Sequence, residues 1–413
     1  MYVERLIDEN FKKILPVYNI IAIVGARQSG KTTFLKQKIM PLHSSYVMFD
    51  DPDVRSLFEE DIKKFEKQYL EGYDVSVLDE VQYCKDAGMK LKYLADKGRR
   101  VWITSSSEII LGKEILSYLV GRVSIIKLYP FSLQEFLNSQ GQKEVTSTIL
   151  RRSVWEHAMY GGYPKVVMTR EPELKKIILR DLYETMLLKD MARTFSIDDI
   201  GSLELFAKYL SVNTGGLLSY ESISKNMKLS FQTVKKYLDA MEKSYLIVRV
   251  PPFFTNRTKE IIKQPKIYFV DTGLRNTVAK EFDAELKGNV FENYVLMELI
   301  KMGFSPKHWR TKSKAEVDFV VEKDNVVIPV EVKLGAQPGN IERSLRSFIE
   351  TYSPEKALVV SYKGETGRMT VGGCEVVFTD VLRMREHLPG DKKRYIGFNP
   401  VDPVIPSKMT CIN

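Results

Sequence analysis

The chain has 413 residues, of which 44% are hydrophobic and 28% charged, a composition typical of soluble globular proteins. No apolar segment approaches the roughly 20 residues that a membrane-spanning helix needs, and the charged N-terminal segment lacks the apolar core of a secretory signal. The net charge of +9 favours a polyanionic partner such as a nucleic acid.

The length predicts two or three domains, each large enough for a core of its own. The three cysteines are isolated in the sequence, which is typical of a protein in a reducing cytoplasm. With four histidines and no cysteine pair at ligand spacing, a zinc site is not expected.

The first motif is a glycine-rich loop, GARQSGKT, which follows the apolar segment 20–24 and precedes a helical pattern. This order is that of a phosphate-binding loop, whose backbone amides surround the β-phosphate of a nucleotide. Lys31 would neutralise the β- and γ-phosphates during catalysis, and the Thr32 hydroxyl would bind Mg²⁺. An ordinary glycine-rich turn is the alternative. The residues predicted to contact ATP in this loop are Gly25, Ala26, Arg27, Gln28, Ser29, Gly30, Lys31, Thr32 and Thr33.

The second motif, VSVLDE at 75–80, is an apolar strand that ends in two acids. Asp79 would hold the Mg²⁺, and Glu80 would orient and polarise the attacking water. A strand followed by a charged turn is the alternative. The next apolar strand, VWITSSS, ends in hydroxyl residues, of which Thr104 or Ser106 would contact the γ-phosphate, although serine-rich turns after strands are common.

Arg122 lies directly before another apolar strand, where an arginine could act as a catalytic residue on ATP held by a neighbouring subunit. A surface arginine that caps a helix is the alternative, and only the first role requires a homo-oligomer. Strands that alternate with helices around a phosphate-binding loop predict an α/β fold with a parallel sheet between helical layers. We assign residues 1–130 to this ATPase core and the helical patterns at 131–200 to a lid over the nucleotide.

Two helical patterns separated by a short break occupy 219–243, with Ser230 as the expected N-cap of the second helix. Together with the strands that follow, they predict a winged helix-turn-helix over 201–275. Ten Lys and Arg residues against four Asp and Glu residues between positions 221 and 266 favour DNA as the partner. A protein-packing module with solvated lysines is the alternative. The predicted DNA-contacting residues are Gln232, Thr233, Lys235 and Lys236 on the second helix and Arg257 in the wing.

The segment AEVDFVVEKDNVVIPVEVK, at 315–333, predicts two strands joined by a two-residue loop at 324–325. In the register that this loop imposes, Asp318 lies opposite Glu331. One face of the hairpin is then apolar, and the other face gathers Asp318, Glu331 and Lys333. Two facing carboxylates repel each other unless a positive charge lies between them, so we expect a divalent metal ion.

A third acid, Glu292, lies on the apolar face of a helical pattern, where a carboxylate needs a partner. Together with Asp318 and Glu331 it would form a catalytic, oxygen-rich site for Mg²⁺ or Mn²⁺. The metal would activate water for attack on DNA, and Lys333 would position the nucleophile or balance charge. Residues 308–310 could line this site, with Trp309 assigned to the core. The alternatives are a structural charge cluster without activity and a domain that binds DNA without cutting it.

With these motifs in place, the chain resembles a family of prokaryotic AAA+ ATP-binding proteins with a C-terminal domain of restriction-endonuclease-like fold. The matching motifs run in family order between residues 18 and 380: GARQSGKT, LDEVQ, LVGRVSIIKLYPFSLQEF, YGGYP, LLKD, KIYFVDTGL, FEN, EVDFVV and VEVK. One departure concerns Thr104, which such proteins often follow with Gly-Ser; here three serines follow it, so the γ-phosphate sensor is not assigned.

The resemblance implies a P-loop AAA+ core, a winged helix, and over 276–386 a small α/β domain similar to PD-(D/E)XK nucleases. It places the nucleotide site on the loop 25–32 with Asp79 and Glu80, and the nuclease site on Glu292, Asp318, Glu331 and Lys333. No matching motif covers 387–413, whose prolines and lack of periodicity predict a loosely ordered extension.

Taken together, the motifs predict a cytoplasmic, ATP-dependent DNA-binding protein with a metal-dependent nuclease domain, in which ATP hydrolysis controls DNA engagement. A nucleotide-dependent switch or scaffold, whose nuclease-like domain binds DNA or protein without cutting, is the first alternative. A small-molecule kinase is the second, and Glu80 beside Asp79 disfavours it.

Overall fold

The computed structural model describes residues 2–106, 116–142, 144–254 and 264–390. A five-stranded parallel sheet forms the N-terminal part, in the order β2-β3-β4-β1-β5. Its strands are β1 (Ile20–Val24), β2 (Ser44–Met48), β3 (Val75–Asp79), β4 (Val101–Ser105) and β5 (Val123–Lys127). Every residue of β1, β3 and β4 is buried, as expected for strands with helices on both faces. The predicted α/β fold with a parallel sheet is confirmed.

Strand order determines which loops meet. Because the strands are parallel and only β4 separates β1 from β3, the phosphate-binding loop after β1 and the acids Asp79 and Glu80 at the end of β3 lie at the same end of the sheet. The helices of this region are α1 (Asp8–Ile14), α2 (Lys31–Ile39), α3 (Pro52–Glu60), α4 (Ile62–Tyr69) and α5 (Ala87–Asp96). On one face of the sheet, the ring of Phe11 in α1 contacts those of Phe34 and Trp102 edge-on, at centroid distances of 5.2 and 4.9 Å.

Helices follow the sheet, as predicted for 131–200. They are α6 (Leu133–Ser139), α7 (Ser147–Tyr160), α8 (Pro164–Val167), α9 (Pro172–Thr185) and α10 (Ile200–Val212). The first begins with a capping box in which Ser132 and Glu135 each accept a backbone amide of the other. Between α9 and α10 the chain forms π-helical turns over Met186–Arg193, a geometry that is rare and frequently found at functional sites.

The helix pair predicted at 219–243 is present as α11 (Tyr220–Met227) and α12 (Phe231–Lys243). The Ser230 hydroxyl accepts the Thr233 amide at 3.1 Å, so the predicted N-cap is confirmed. An antiparallel pair of strands, β6 (Ile247–Val250) and β7 (Lys266–Phe269), follows. Arg257, which was predicted to contact DNA from the wing, lies outside the described residues.

Helix α13 (Thr272–Ala279) comes next and packs against α7, α9 and α10. Helix α13 spans the predicted domain boundary between residues 275 and 276, and that boundary stays a prediction. A close packing contact fixes the start of this helix. Asp271, the N-cap of α13, accepts the amides of Gly162 at 2.8 Å and Leu274 at 3.1 Å. The YGGYP turn is therefore fixed against the VDTGL segment.

The C-terminal part is a six-stranded mixed sheet in the order β12-β13-β11-β10-β9-β8. It contains the helices α14 (Gly288–Lys301) and α15 (Arg343–Tyr352) and the strands β8 (Lys307–Arg310), β9 (Glu316–Lys323), β10 (Val326–Lys333), β11 (Lys356–Ser361), β12 (Gly367–Val371) and β13 (Cys374–Thr379).

The β9–β10 hairpin has the predicted register, with Lys323 paired to Val326 across the loop. Both loop residues, Asp324 and Asn325, have positive φ values, of 51° and 64°. A two-residue loop with two positive φ values matches the twist of the strands, which explains why this register forms. Of the predicted C-terminal extension, residues 391–413 lie outside the described residues.

Substituting Gly273 with alanine tests the contact between α13 and the YGGYP turn. A Cβ atom at Gly273 would lie 2.2 Å from the Tyr160 carbonyl oxygen, so backbone segments must separate to admit it. We expect Gly273→Ala to lower the free energy of unfolding by about 1–3 kcal/mol, measured by urea denaturation. Gly288→Ala, at the start of α14, is the control, since its Cβ would meet nothing within 4 Å. Equal stability of the two variants would contradict the close approach.

Candidate functional site

The phosphate-binding loop is built as its glycines predicted. A Cβ atom on Gly25 would lie 2.1 Å from the Leu128 carbonyl oxygen, so only glycine lets the loop pass β5. The Lys31 ammonium is buried within the loop and donates to the carbonyl oxygens of Gly25 and Ala26, both at 3.0 Å. Burial lowers the pKa of Lys31, while the nearby carboxylates of Glu80 and Asp79 oppose that shift.

The loop also carries groups suited to a nucleotide. Ser29 is buried, and its hydroxyl has no hydrogen-bond partner among the described residues. Gln28 and Thr33 are exposed beside it, and Gly30 adopts a positive φ of 100° at the start of α2. The Arg5 guanidinium donates to the Ser29 carbonyl oxygen at 3.0 Å and so stabilises the loop.

Asp79 is buried at the end of β3 and accepts hydrogen bonds from three hydroxyl groups. The Thr32 hydroxyl donates at 2.9 Å, and those of Tyr46 and Thr104 donate to the same carboxylate. A carboxylate beside a threonine hydroxyl at the start of a P-loop helix is the oxygen donor set that holds Mg²⁺ with a bound nucleotide. Tyr46 had not been predicted, because its role depends on β2 lying beside β3.

Glu80 follows in a left-handed conformation, with φ of 58°, and its amide donates to the Thr104 hydroxyl at 2.9 Å. The Glu80 carboxylate accepts the Ser106 hydroxyl at 3.2 Å and the side-chain amide of Gln82. Thr104 therefore contacts Asp79, the predicted Mg²⁺ ligand, and Ser106 contacts Glu80, the predicted catalytic glutamate. Gln82 was missed by the sequence analysis, although it is the last letter of the LDEVQ motif.

Arg27 extends from the loop to the π-helical turns. Its guanidinium binds the Asp190 carboxylate through two hydrogen bonds, of 3.0 and 2.8 Å, and this bonding raises the pKa of Arg27. The carbonyl oxygen of Asp190 in turn accepts the hydroxyl of Ser244, which directly follows α12, at 2.9 Å. A direct chain of contacts thus joins the phosphate-binding loop to the helix pair. In the sequence, only the pattern LLKD, which contains Asp190, pointed to this segment.

Arg122 lies at the start of β5, at the opposite end of the sheet from the phosphate-binding loop, since Val123 is paired with Ile20. Its guanidinium forms an ion pair of 2.8 Å with Asp96, and both side chains are exposed. Arg122 therefore does not reach the nucleotide site of its own chain, and its role on a neighbouring subunit stays a prediction.

The predicted DNA-contacting residues on α12 do not share one environment. Gln232 and Lys235 are exposed, whereas the Thr233 hydroxyl is hydrogen-bonded to Ser230. The Lys236 ammonium donates to the carbonyl oxygen of Ser196 at 2.7 Å, so this lysine contacts the segment after the π-helical turns. Phe231, the first residue of α12, had not been predicted and has 56% of its surface exposed.

The hairpin acids lie together as predicted. Asp318 accepts the Val332 amide at 2.8 Å, and the buried Glu331 accepts the Lys333 ammonium at 2.9 Å through one oxygen. The other oxygen of Glu331 has no hydrogen-bond partner in the ranges that the structure describes. Burial, and then the charge of Glu331, raise the pKa of Asp318 well above its usual range; burial raises the pKa of Glu331 to about 7. Lys333 also pairs with Glu342 at 2.6 Å.

Glu292 departs from the predicted geometry. Its carboxylate accepts the Lys266 ammonium at 3.0 Å and the Tyr268 hydroxyl, so its bonds go to β7. Its charge still acts on Asp318 and Glu331, whose pKa values it helps to raise. In the part of the chain that the structure describes, no three His, Cys, Asp or Glu side chains are grouped as metal ligands. The predicted set of three carboxylate ligands is therefore not assembled in this conformation.

The residues before the hairpin line the same region. His308 is buried beside Lys266, and burial together with that charge lowers its pKa to about 4. Trp309 belongs to the core, as predicted, and contacts the ring of Phe348 edge-on. Arg310 forms an ion pair of 3.1 Å with Glu316.

Comparison with known proteins agrees with this geometry. The family model of an AAA domain matches residues 17–137, which include the phosphate-binding loop and both acids after β3. Residues 17–137 form an AAA-type ATPase domain. An ATPase domain of this kind binds ATP, typically with Mg²⁺. Two domains of unknown function, DUF8612 and DUF4143, match residues 151–285 and 287–379.

Relatives of the whole chain are similar over most of their length. An uncharacterized protein of Haemophilus influenzae is 28% identical over 408 residues, which cover 91% of this chain and 96% of the relative. An uncharacterized protein of Methanocaldococcus jannaschii is 27% identical over 81% of this chain and 79% of its own length.

Among solved structures, a Walker-type ATPase of Pyrococcus abyssi is 14% identical and matches with a TM-score of 0.44, over 65% of this chain and 93% of that chain. The ORC2 protein of Aeropyrum pernix is 11% identical and matches with a TM-score of 0.36, over 72% of this chain and 93% of that chain. Within the described residues, no helix is both long and apolar enough to cross a membrane.

The ATPase domain predicts distinct effects for two variants. Lys31→Ala removes the ammonium expected to neutralise the phosphates, so we expect weaker ATP binding and a loss of hydrolysis of about 100-fold or more. Glu80→Gln keeps an oxygen for hydrogen bonding but removes the carboxylate expected to polarise the attacking water, so hydrolysis should fall similarly while ATP binding persists. Phosphate release and fluorescent-nucleotide binding measure the two properties. Lys92→Ala, an exposed lysine of α5, is the control. Unchanged turnover in Lys31→Ala would show that the loop is not the ATP site.

Proposed function

We propose that this chain is an ATP-dependent DNA-binding protein in which the nucleotide state of the ATPase domain controls a winged helix and a metal-dependent nuclease domain. The observation that carries the proposal is the contact chain from Arg27 through Asp190 to Ser244. A nucleotide bound in the loop would compete with Asp190 for the guanidinium of Arg27, because phosphates and carboxylates attract the same fork of N–H donors. Loss of that ion pair would free Asp190 and, with it, the end of α12, the second helix of the pair α11–α12.

The winged-helix interpretation of 201–275 has local support. An N-capped second helix with an exposed first turn, followed by a two-stranded antiparallel sheet, is the arrangement in which a recognition helix enters a groove. Phe231, Gln232 and Lys235 are exposed there, and they offer an aromatic ring, an amide and a cation to a nucleic acid. We place Lys236 outside this surface because of its bond to Ser196.

The nuclease interpretation of 276–386 rests on Asp318, Glu331 and Lys333. The two carboxylates are hard oxygen donors, and the unpaired oxygen of Glu331 gives a divalent ion an open ligand, so these residues fit Mg²⁺ or Mn²⁺. Such an ion, when bound, lowers the pKa of water and stabilises negative charge on a phosphodiester. Asp318 and Glu331 would hold it, Glu292 would complete the ligand set, and Lys333 would orient the nucleophile beside Glu331. A mixed sheet with a helix on the ligand side is compatible with a PD-(D/E)XK-like fold.

A second candidate function is a nucleotide-dependent switch or scaffold whose nuclease-like domain binds without cutting. The ion pair of Lys266 with Glu292 favours it, since a lysine can satisfy that carboxylate permanently. Under this alternative the chain would oligomerise or bind partners in response to ATP, with slow hydrolysis and no cleavage of any nucleic acid. Light scattering with and without a non-hydrolysable ATP analogue detects such assembly, in which Arg122 would take part.

Salt dependence of DNA binding tests the winged helix. Phosphate contacts release counterions, so the affinity of the wild type should fall steeply with salt, and Lys235→Ala should reduce the slope of log K against log salt by about one. Fluorescence anisotropy with labelled duplex and single-stranded DNA at several salt concentrations measures it. Lys208→Ala, an exposed lysine of α10, is the matched control. The same slope in both variants would place the DNA elsewhere.

Cleavage assays test the hairpin site. With Mn²⁺ and ATP, the wild type should cut linear, single-stranded or branched DNA, and Asp318→Asn should reduce the rate about 100-fold or more because it removes a ligand charge. Asparagine retains an oxygen that can accept the Val332 amide, which limits structural damage. Glu322→Gln, an exposed acid on the same strand, is the control. If the wild type cuts no substrate, the second candidate function stands instead.

A further inference from the structure

Lys266 is one of the cations that pair with the acidic cluster of the C-terminal domain, yet it belongs to a different part of the fold. It is the first residue of β7, the strand that pairs with β6 after the helix pair. Its side chain is only 3% exposed, and its ammonium lies 3.0 Å from an oxygen of Glu292 and 2.5 Å from one of Glu316. An ammonium buried to this extent is stable only because both carboxylates pair with it.

Strand β7 contacts Glu292 at two alternate positions. Lys266 and Tyr268 project from the same face of the strand, and both donate to the same oxygen of Glu292. The backbone of Gly215, which is hydrogen-bonded to Ile267, also lies against this carboxylate, since a Cβ atom there would be 3.5 Å from it. The hydrogen bonds to Glu292 described here therefore come from β7, the strand after the helix pair, and not from the β9–β10 hairpin.

The cluster has more acidic than basic side chains, so its full ionisation leaves negative charge that a divalent cation would balance. Five carboxylates and three cationic groups meet here, so the ionised cluster carries two net negative charges; its members are Glu292, Glu316, Asp318, Glu331, Glu342, Lys266, Arg310 and Lys333. The unpaired, buried oxygen of Glu331 shows where the charge lacks a partner. Lys266 supplies one charge at Glu292 and acts electrostatically on Asp318 as well.

We propose that Lys266 competes with a divalent cation for Glu292, so that the ligand set of Glu292, Asp318 and Glu331 is complete only when β7 withdraws this lysine. The inference rests on the proposed function, because it assigns the regulation of the same metal site. Since β7 follows α12 in one unit, any rearrangement of the helix pair that moves β7 would also change the cation affinity of the C-terminal domain. Lys266 is in this sense a residue that sets the affinity of the site, not a catalytic residue.

Binding of Mn²⁺ to the full chain without nucleotide tests the proposal. Free Mn²⁺ is counted by electron paramagnetic resonance, and Asp318→Asn gives the background from other sites. We expect Lys266→Met to bind Mn²⁺ at least about tenfold more tightly than the wild type, because a competing positive charge is removed. The gain should disappear in Lys266→Met/Asp318→Asn. Lys307→Met, which removes a lysine paired with Glu322 outside the cluster, should leave the affinity unchanged.

A second measurement does not depend on how well the variant folds. Saturating Mn²⁺ should increase amide hydrogen exchange over β7 in the wild type, since the displaced lysine no longer anchors the strand, and it should have no such effect in Asp318→Asn. If the wild type binds Mn²⁺ through Asp318 while Lys266→Met gains nothing and β7 exchange is unchanged, Lys266 is structural and only the inference fails. If neither protein shows binding that depends on Asp318, the proposed metal site fails as well.

Discussion

Buried carboxylates join the parts of this chain, because each must find a cation or a hydrogen-bond donor where water cannot serve. Glu135 binds the guanidinium of Arg5, and Asp190 binds that of Arg27. Asp271 accepts backbone amides, those of Gly162 and Leu274. The partners Arg5, Arg27 and Gly162 each lie more than 100 residues away in the sequence from the acid that they bind. The requirement that stabilises the fold therefore also connects the phosphate-binding loop to the helices beyond it.

The two candidate metal sites satisfy their acids in different ways. Asp79 accepts hydrogen bonds from hydroxyl groups, which stabilise a carboxylate without cancelling its charge. The Lys31 ammonium donates to backbone carbonyl oxygens and not to Asp79. The Asp79 carboxylate therefore has no ammonium among its hydrogen-bond partners within the residues that the structure describes. Glu292 instead pairs with the ammonium of Lys266, which offsets its charge. Under the proposed function, the first arrangement leaves a carboxylate for the Mg²⁺ of a nucleotide, and the second requires Lys266 to move before a cation binds.

The position of these contacts gives the middle of the chain a physical role. Asp190 lies in the π-helical turns, and its carbonyl oxygen accepts the hydroxyl of Ser244, which directly follows α12. Lys266 lies on the strand pair that continues from α12. Helix α12 is thus linked to the phosphate-binding loop through Ser244 and Asp190, and β7 is linked to the acidic cluster through Lys266.

Features with a local cause were determined by the sequence. The phosphate-binding loop needs glycines at fixed spacing, Ser230 caps the helix that begins beside it, and the hairpin register follows from a two-residue loop whose residues, Asp324 and Asn325, tolerate positive φ. Each of these depends on a few neighbouring residues, so a pattern in the sequence is enough to predict it. The strand ends that carry Asp79 and Glu80 were predictable for the same reason.

Only the tertiary structure determined which charged side chains form ion pairs with each other. The sequence placed Glu292 with the hairpin acids, but in the fold Glu292 pairs with Lys266, and Arg27 pairs with Asp190. Electrostatic and packing energies depend on distance and burial between segments that are remote in the chain, and no local pattern of residue types contains those distances.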